Sequence, residues 1–278
     1  MYSISIFKRR LFFQLMALRD IFDTYIAPGY APVQTKLGFK LAGGHSQHHK
    51  AMQEENFEPV EIQWLLTQFG EIDVFVDVGA NIGYFSCLAR HMGKQVIAIE
   101  PMRSNLRHLL KNIDINAGLM PEVYPIALAE SPNVLKLYGA SSTGASLVND
   151  WAGASSILTR LVPVNTLDNL IAGRFNEKKL LIKMDVEGAE FNALKGSIKT
   201  IQRMVKPAWL IEITLNEYMP GGVNQNFLET FDLFWDASYE SYVLTHKGLV
   251  PVSRADIIRF VQQGHTDYLE INYVFLAA

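Results

Sequence analysis

A chain of 278 residues, 49% hydrophobic and 19% charged, with a mean hydropathy of +0.09, can bury a sizeable core and is neither a disordered tail nor a small disulfide scaffold. Its 25 basic and 28 acidic residues leave a formal charge of −3, which argues against a broad electrostatic footprint for nucleic acid. The single cysteine, Cys87, excludes an intrachain disulfide and points to a reducing, cytoplasmic compartment.

Near the N-terminus the longest charge-free apolar stretch runs from Leu11 to Leu18 and is interrupted by Gln14, too short for a bilayer span of about 20 residues. It follows Lys8, Arg9 and Arg10, but no small-x-small cleavage pattern comes after it, so a signal peptide is not expected. At helical spacing Ile4, Phe7, Leu11, Leu15, Leu18 and Tyr25 form one stripe. This predicts a helix over residues 4–25 that packs on the domain, on a partner subunit or weakly on a membrane surface. The turn-rich segment Ala27 to Gly44 reads as a solvated loop; with the helix it makes an N-terminal unit, residues 1–50, ahead of a main domain, residues 51–278. His45, His48 and His49 lie close together but have no Cys, Asp or Glu among them, so no metal site is expected there.

From Glu58 onward strand and helix periods alternate. Pro59 suits a first helical turn, and Val60, Ile62, Leu65, Leu66 and Phe69 give that helix an apolar face closed by Gly70. The run Val74 to Val78 leads through glycines into a helix ending near Gly93. The strand Gln95 to Ile99, a helix around Leu106 to Ile113 closed by Gly118, and the strand Val123 to Ile126 follow. Apolar runs separated by helices predict a parallel sheet covered on both faces. Between Val134 and Val164 two strands flank a small-residue loop, Gly139 to Gly153, which predicts an inserted hairpin. Strands Leu180 to Met184, Trp209 to Ile213, Tyr242 to Thr245 and Ile271 to Phe275 then alternate with helices that include Phe227 to Trp235 and Ala255 to Val261. The expectation is one α/β domain with a wound sheet of seven main strands.

The segment Val76-Asp77-Val78-Gly79-Ala80-Asn81-Ile82-Gly83-Tyr84 ends a strand near an acidic residue and turns on glycines into a helix. The first N–H groups of that helix are expected to face a ligand carboxylate or phosphate. Glu100 closes the next strand, 17 residues after Gly83, where a carboxylate accepts both hydroxyls of a ribose. A nicotinamide-binding protein carries Gly-x-Gly-x-x-Gly here, and this turn lacks the middle glycine. Asp77 would repel a pyrophosphate but hydrogen-bond the ammonium of an amino-acid moiety. Ammonium, carboxylate and ribose together describe S-adenosylmethionine.

Four blocks, Asp77 to Tyr84, Ile99-Glu100-Pro101, Thr166-Leu167-Asp168, and Lys183-Met184-Asp185-Val186-Glu187-Gly188-Ala189-Glu190 followed by Leu194-Lys195-Gly196, resemble the FkbM-type methyltransferases in order and spacing. The resemblance covers about Phe57 to Thr214, and Glu58-Pro59 is similar to the family's short opening motif. It implies a class I, Rossmann-like methyltransferase fold, S-adenosylmethionine as cofactor, and a small-molecule or glycan acceptor, usually a hydroxyl of a sugar, glycolipid or related metabolite. It further implies that Asp77, Gly79, Asn81 and Gly83, with Ala80 in the same turn, hold the methionyl part, that Glu100 holds the ribose, and that a backbone amide at Ala127 faces adenine.

Asp185 ends an apolar strand on the ligand side of such a sheet, with Glu187 two residues on and Glu190 in the first turn of the next helix. Methyl transfer to an aliphatic alcohol gains about 10²–10⁴-fold from a base, and Asp185 or Glu187 is placed to act as one. The alternative for Asp185 is to hold cofactor or substrate, and for Glu190 to serve only the helix start. Lys183 either orients a substrate oxygen or pairs with a carboxylate. Glu212, in an apolar strand, must be paired or face the cleft, as a second wall of the acceptor pocket or as a divalent-metal pair with Asp185. Cys87 and the tryptophans read as packing. The function expected is an S-adenosylmethionine-dependent O-methyltransferase, cytoplasmic or peripheral to a membrane. Its alternatives are a non-catalytic assembly protein of the same fold and a nicotinamide oxidoreductase.

Overall fold

The computed structural model describes residues 31–43, 47–54, 56–139, 144–153, 159–171 and 173–278. The helix expected over residues 4–25 and His45 lie outside them. The first described elements are the short ladder of β1 (Val33–Gln34) with β2 (Lys40–Leu41), then helices α1 (Gln47–Gln53) and α2 (Pro59–Phe69). Apolar runs and amphipathic helices then alternate as β3 (Val74–Val78), α3 (Tyr84–His91), β4 (Gln95–Ile99), α4 (Arg103–Asp114) and β5 (Glu122–Tyr124). The short strand β6 (Ala127–Leu128) joins the hairpin of β7 (Asn133–Tyr138) and β8 (Thr159–Asn165) in a separate three-stranded sheet. After α5 (Leu167–Ile171) come β9 (Leu180–Met184), α6 (Glu190–Lys195), α7 (Ile198–Ile201), β10 (Ala208–Glu212) and α8 (Phe227–Trp235). The hairpin of β11 (Tyr239–Thr245) and β12 (Gly248–Pro251), helix α9 (Arg254–Gln263) and β13 (Asn272–Ala277) end the chain.

The large sheet has the order β12-β11-β13-β10-β9-β3-β4-β5. From β10 to β5 its strands are parallel, and β13, β11 and β12 pair antiparallel at the other end. The chain moves outward from β3 to β5 and then returns to place β9 on the other side of β3. This reversal opens a crevice beyond the carboxyl ends of β3 and β9, the position where wound sheets bind ligands.

Alternation along each strand sends side chains to opposite faces. Val76, Val78, Ile182, Met184, Trp209 and Ile211 pack with Leu194, Phe227, Phe231 and Ile257 on one face. Phe75, Leu181 and Leu210 pack with Leu65, Phe69, Phe85 and Leu88 on the other. Burying both faces accounts for strands that read as nearly unbroken apolar runs. Among the described residues no helix is long and apolar enough to cross a membrane.

Two sequence expectations need correction. The large sheet has eight strands rather than seven, because the chain turns back after Thr245 to add β12 at the edge. That strand contains Gly248 and Pro251 and buries little, so it carries no strand signal. The segment expected to be a solvated loop buries Phe39 and Leu41 in the second face of the core, with Ala42 buried beside them in sequence. Asn112 on α4 pins it there: its side-chain oxygen accepts from Ala42 N–H at 2.7 Å, and its amide donates to the carbonyls of Ala42 and Ile82 at 2.8 Å.

Candidate active site

The turn between β3 and α3 requires left-handed backbone three times, with φ of 82° at Gly79, 49° at Asn81 and 82° at Gly83. Gly79 is obligatory for a further reason, since a Cβ there would overlap the backbone carbonyl of Asp185. The turns that follow β3 and β9 are thus in direct contact. Asp185 N–H donates to the Val78 carbonyl at 3.0 Å, and Gly79 and Ala80 donate to the Ile99 carbonyl at 2.9 and 3.0 Å. Gly83 N–H donates to the Ala80 carbonyl at 2.7 Å. The turn's own amides at Gly79, Ala80 and Gly83 are thus engaged by backbone carbonyls.

Glu100 ties the turn to the next one. One of its oxygens accepts from Asn81 N–H at 2.8 Å and the other from Met102 N–H at 2.7 Å. Burial pushes its carboxyl up to about 8, against the opposing pull of hydrogen bonds from Met102, Asn81 and Asn105. His49 on α1 is buried beside the same turn, its Nε2 3.4 Å from Asn81 Oδ1.

A cleft of about 840 Å³, open solvent at its mouth included, lies over these carboxyl ends. Gly79, Ala80, Asn81, Glu100 and Ala127 line one part of it, and Lys183, Asp185 and Glu187 another. Phe57, Tyr84 and Phe85 add an aromatic wall, with Phe57 6.0 Å from Tyr84 and 6.2 Å from Phe85 between ring centroids. Asp77 and Gly83 are not among the lining residues. Asp77 is buried behind the turn, where its carboxylate accepts from Ser86 Oγ at 2.6 Å and lies in register with Lys183 of the neighbouring strand. It does not reach the cleft as an ammonium partner.

Lys183 is a buried cation among carboxylates. Its Nζ lies 3.2 Å from Asp185 Oδ2, 3.8 Å from Glu58 Oε2 and 4.7 Å from the centroid of the Phe85 ring. Burial by itself would lower the ammonium, but Glu58, Asp185, Asp77 and Glu212 outweigh it and hold Lys183 above its usual range. Lys183 therefore pairs with carboxylates, one of the two roles expected for it.

The acidic residues after β9 separate by their partners. Glu190 accepts from the N–H groups of Val186 and Gly188 at 3.2 and 3.0 Å and braces the turn before α6. Glu187, in left-handed backbone with φ 56°, accepts from Gly144 N–H at 3.0 Å and from Trp151 Nε1 at 2.8 Å. It thereby latches the inserted hairpin's loop over the cleft, and Trp151 packs where a Cβ on Gly188 would stand. Burial and then repulsion by Asp185 push Glu187 to about 7. Asp185 has a side chain 23% exposed and, among the described residues, pairs with Lys183 alone. Glu212 is raised well above the carboxylate range by burial, then by Asp185, Glu187 and Glu58. Among the described residues no group of three or more His, Cys, Asp or Glu could hold a metal ion.

Sequence reasoning gave Glu58 and Trp151 no chemical role. The acidic residue before Pro59 was the available signal for the first; nothing local marks the second, which meets Glu187 only in the fold.

The sequence model of the family described as Methyltransferase FkbM domain matches residues 77–241. The hexuronic acid methyltransferase AglP of Haloferax volcanii is 29% identical over 142 residues, which are 51% of this chain and 56% of that protein. The chain thus spans about half the length of the curated relative it matches. Among solved structures, a SAM-dependent methyltransferase from Agrobacterium tumefaciens aligns with a TM-score of 0.43 at 10% identity, over 89% of this chain and 69% of that one. The tRNA (m1A58) methyltransferase TrmI from Aquifex aeolicus aligns with a TM-score of 0.38 at 8% identity, over 78% and 67%.

Proposed function

The chain belongs to the FkbM methyltransferase family, and from that premise we propose that it is an S-adenosylmethionine-dependent O-methyltransferase whose acceptor is a sugar or glycan hydroxyl. The observation that carries this reading is one cleft at the switch point of the sheet, with Glu100 on one part and the Lys183–Asp185 pair on another. The donor set fits the cofactor. Glu100 accepts a backbone N–H on each oxygen and a further bond from Asn105, which still leaves accepting capacity for a ribose hydroxyl. Ile126, Ala127 and Leu128 give an apolar flank for a base, and Gly79, Ala80 and Asn81 let the ligand approach the backbone closely.

Bound there, S-adenosylmethionine supplies an electrophilic methyl group. The chain's own work is alignment, exclusion of water and removal of a proton. Phe57, Tyr84 and Phe85 wall the cleft, and the loop latched by Glu187 and Trp151 lies against it. Asp185 takes the proton of the acceptor hydroxyl through the oxygen that Lys183 does not hold. The name of the haloarchaeal relative supports a sugar acceptor.

The test uses the purified protein, methyl-labelled S-adenosylmethionine and a panel of neutral and uronic methyl glycosides, with calorimetric titration of S-adenosylhomocysteine alongside. Micromolar binding and label in a glycoside are expected. Absence of both would defeat the reading.

A further inference from the structure

Glu58 adopts a conformation that the start of a helix does not require. It precedes Pro59 as the N-cap of α2 in left-handed backbone, φ 43° and ψ 57°, and makes no side-chain cap bond. Such geometry is uncommon for a non-glycine residue and concentrates at functional sites. A Ser, Thr, Asn or Asp would cap the helix directly. Instead the Glu58 side chain turns inward, where Oε2 is buried without a hydrogen-bond partner and lies 3.8 Å from Lys183 Nζ. The adjacent Phe57 lines the cleft and touches Tyr84 and Phe85, the latter also lying beneath the Lys183 ammonium. One strained turn therefore sets both an aromatic wall and a counter-charge.

We propose that Glu58 is a positioning residue for methyl transfer, holding Lys183 charged and in place so that Lys183 fixes Asp185 at the cleft. The inference rests on the reading of Asp185 as the base. A buried ammonium with one carboxylate near it is a poor arrangement; a second carboxylate from another element restrains it and balances its charge. The groups facing Glu58 are Lys183, Asp185, Glu61 and Asp77, and Lys183 also faces Glu212. Burial works against a charge on Glu58, with Asp185, Glu61 and Asp77 adding to it and the Lys183 ammonium opposing them. For the coupled set, the ammonium stays on Lys183 and the proton that burial retains is shared among the carboxyls.

The test compares wild type with Glu58→Gln, which keeps the side chain's size and removes its charge, and Glu58→Asp, which keeps the charge. Lys183 lines the cleft, so its acylation by acetic anhydride can be followed by peptide mass mapping between pH 7 and 10. One pKa unit less support for the ammonium means about tenfold more free amine. Glu58→Gln should therefore acylate Lys183 about tenfold faster, with S-adenosylhomocysteine affinity and melting temperature held. On whichever glycoside accepts label, kcat should fall about tenfold at constant cofactor KM, and Glu58→Asp should restore most of both. Unchanged Lys183 acylation and kcat in Glu58→Gln, with normal wild-type transfer, would overturn this inference alone, as would equal losses in Gln and Asp. A wild-type protein that neither binds S-adenosylhomocysteine nor transfers label would overturn the functional reading, and the role of Glu58 with it.

Discussion

Gly79 and Asp185 stand so close that the backbone carbonyl of the second fills the space a Cβ on the first would need. Gly79→Ala must also hold φ near 82°, a strain of about 1–3 kcal/mol before any clash. We expect a melting temperature lower by several degrees and loss of S-adenosylhomocysteine binding in titration calorimetry. An alanine variant that binds normally would show that the contact between the two turns has no part in shaping the cleft.

Glu100→Gln tests the bridge between the turns. The glutamine amide would point one pair of N–H donors at a backbone N–H, either that of Asn81 or that of Met102. Losing that bond and leaving a buried N–H unsatisfied costs about 1–3 kcal/mol. S-adenosylhomocysteine affinity should fall by about ten- to a hundredfold, read by the same calorimetry. Equal affinities would remove Glu100 from the cofactor site.

For Asp185→Asn the expectation is a split. The variant keeps its shape and its place beside Lys183, so cofactor affinity should change little. Turnover should fall about 10²–10⁴-fold if the group is the base. Steady-state kinetics on the accepting glycoside decide the matter, and a loss confined to KM would assign Asp185 to binding instead.

Trp151→Phe removes the Nε1 donor to Glu187 while keeping most of the ring packing. An oxygen of a buried carboxylate is then left without that partner, which costs about 1–3 kcal/mol. Proteinase K should cut the segment around residues 144–153 faster, and acceptor KM should rise with cofactor affinity unchanged. Identical digestion patterns would show that the latch does not restrain the loop.

Stability should depend on pH with a definite sign. Burial lifts Glu100 and Glu190 to about 8 and Glu187 to about 7, from 4.5. Between those limits the native state keeps protons that the unfolded chain has released, so stability declines as pH rises. His49 and His108, both lowered by burial from 6.5 to about 4, act oppositely, making stability rise with pH from about 4 to 6.5. Three carboxyls outweigh two imidazoles, so melting temperature should peak near pH 5 and drop toward pH 9, by on the order of 5 °C. Scanning calorimetry of the unliganded protein that shows a flat or rising profile from pH 6 to 9 would refute this.

Much of the architecture could be read before any coordinates. Val74 to Val78 and Leu180 to Met184 are apolar but for Asp77 and Lys183, and the strands β3 and β9 begin and end at those residues. The glycine turn and the acidic strand ends were equally legible, because backbone conformation and burial period are written locally. The edge strand β12 and the core contacts of Phe39 and Leu41 were not, since a short half-exposed strand and a two-residue ladder carry almost no periodic signal.

By itself the sequence determined which carboxylates cluster near the ligand end of the sheet. Only the tertiary structure decided their roles, because a carboxylate's chemistry depends on what already donates to it. Glu187 takes its donors from Gly144 and Trp151, 43 and 36 residues away. Glu100 takes one of its donors from Asn81, 19 residues away, and Asp77 is claimed by Ser86 on the helix beyond the turn. Asp185 is left with Lys183 and an open side, and Lys183 owes its second counter-charge to Glu58, a residue brought beside it by α2 packing on the sheet. Hydrogen-bond partners so distant in sequence are chosen by strand order and layer packing, which local residue patterns do not encode.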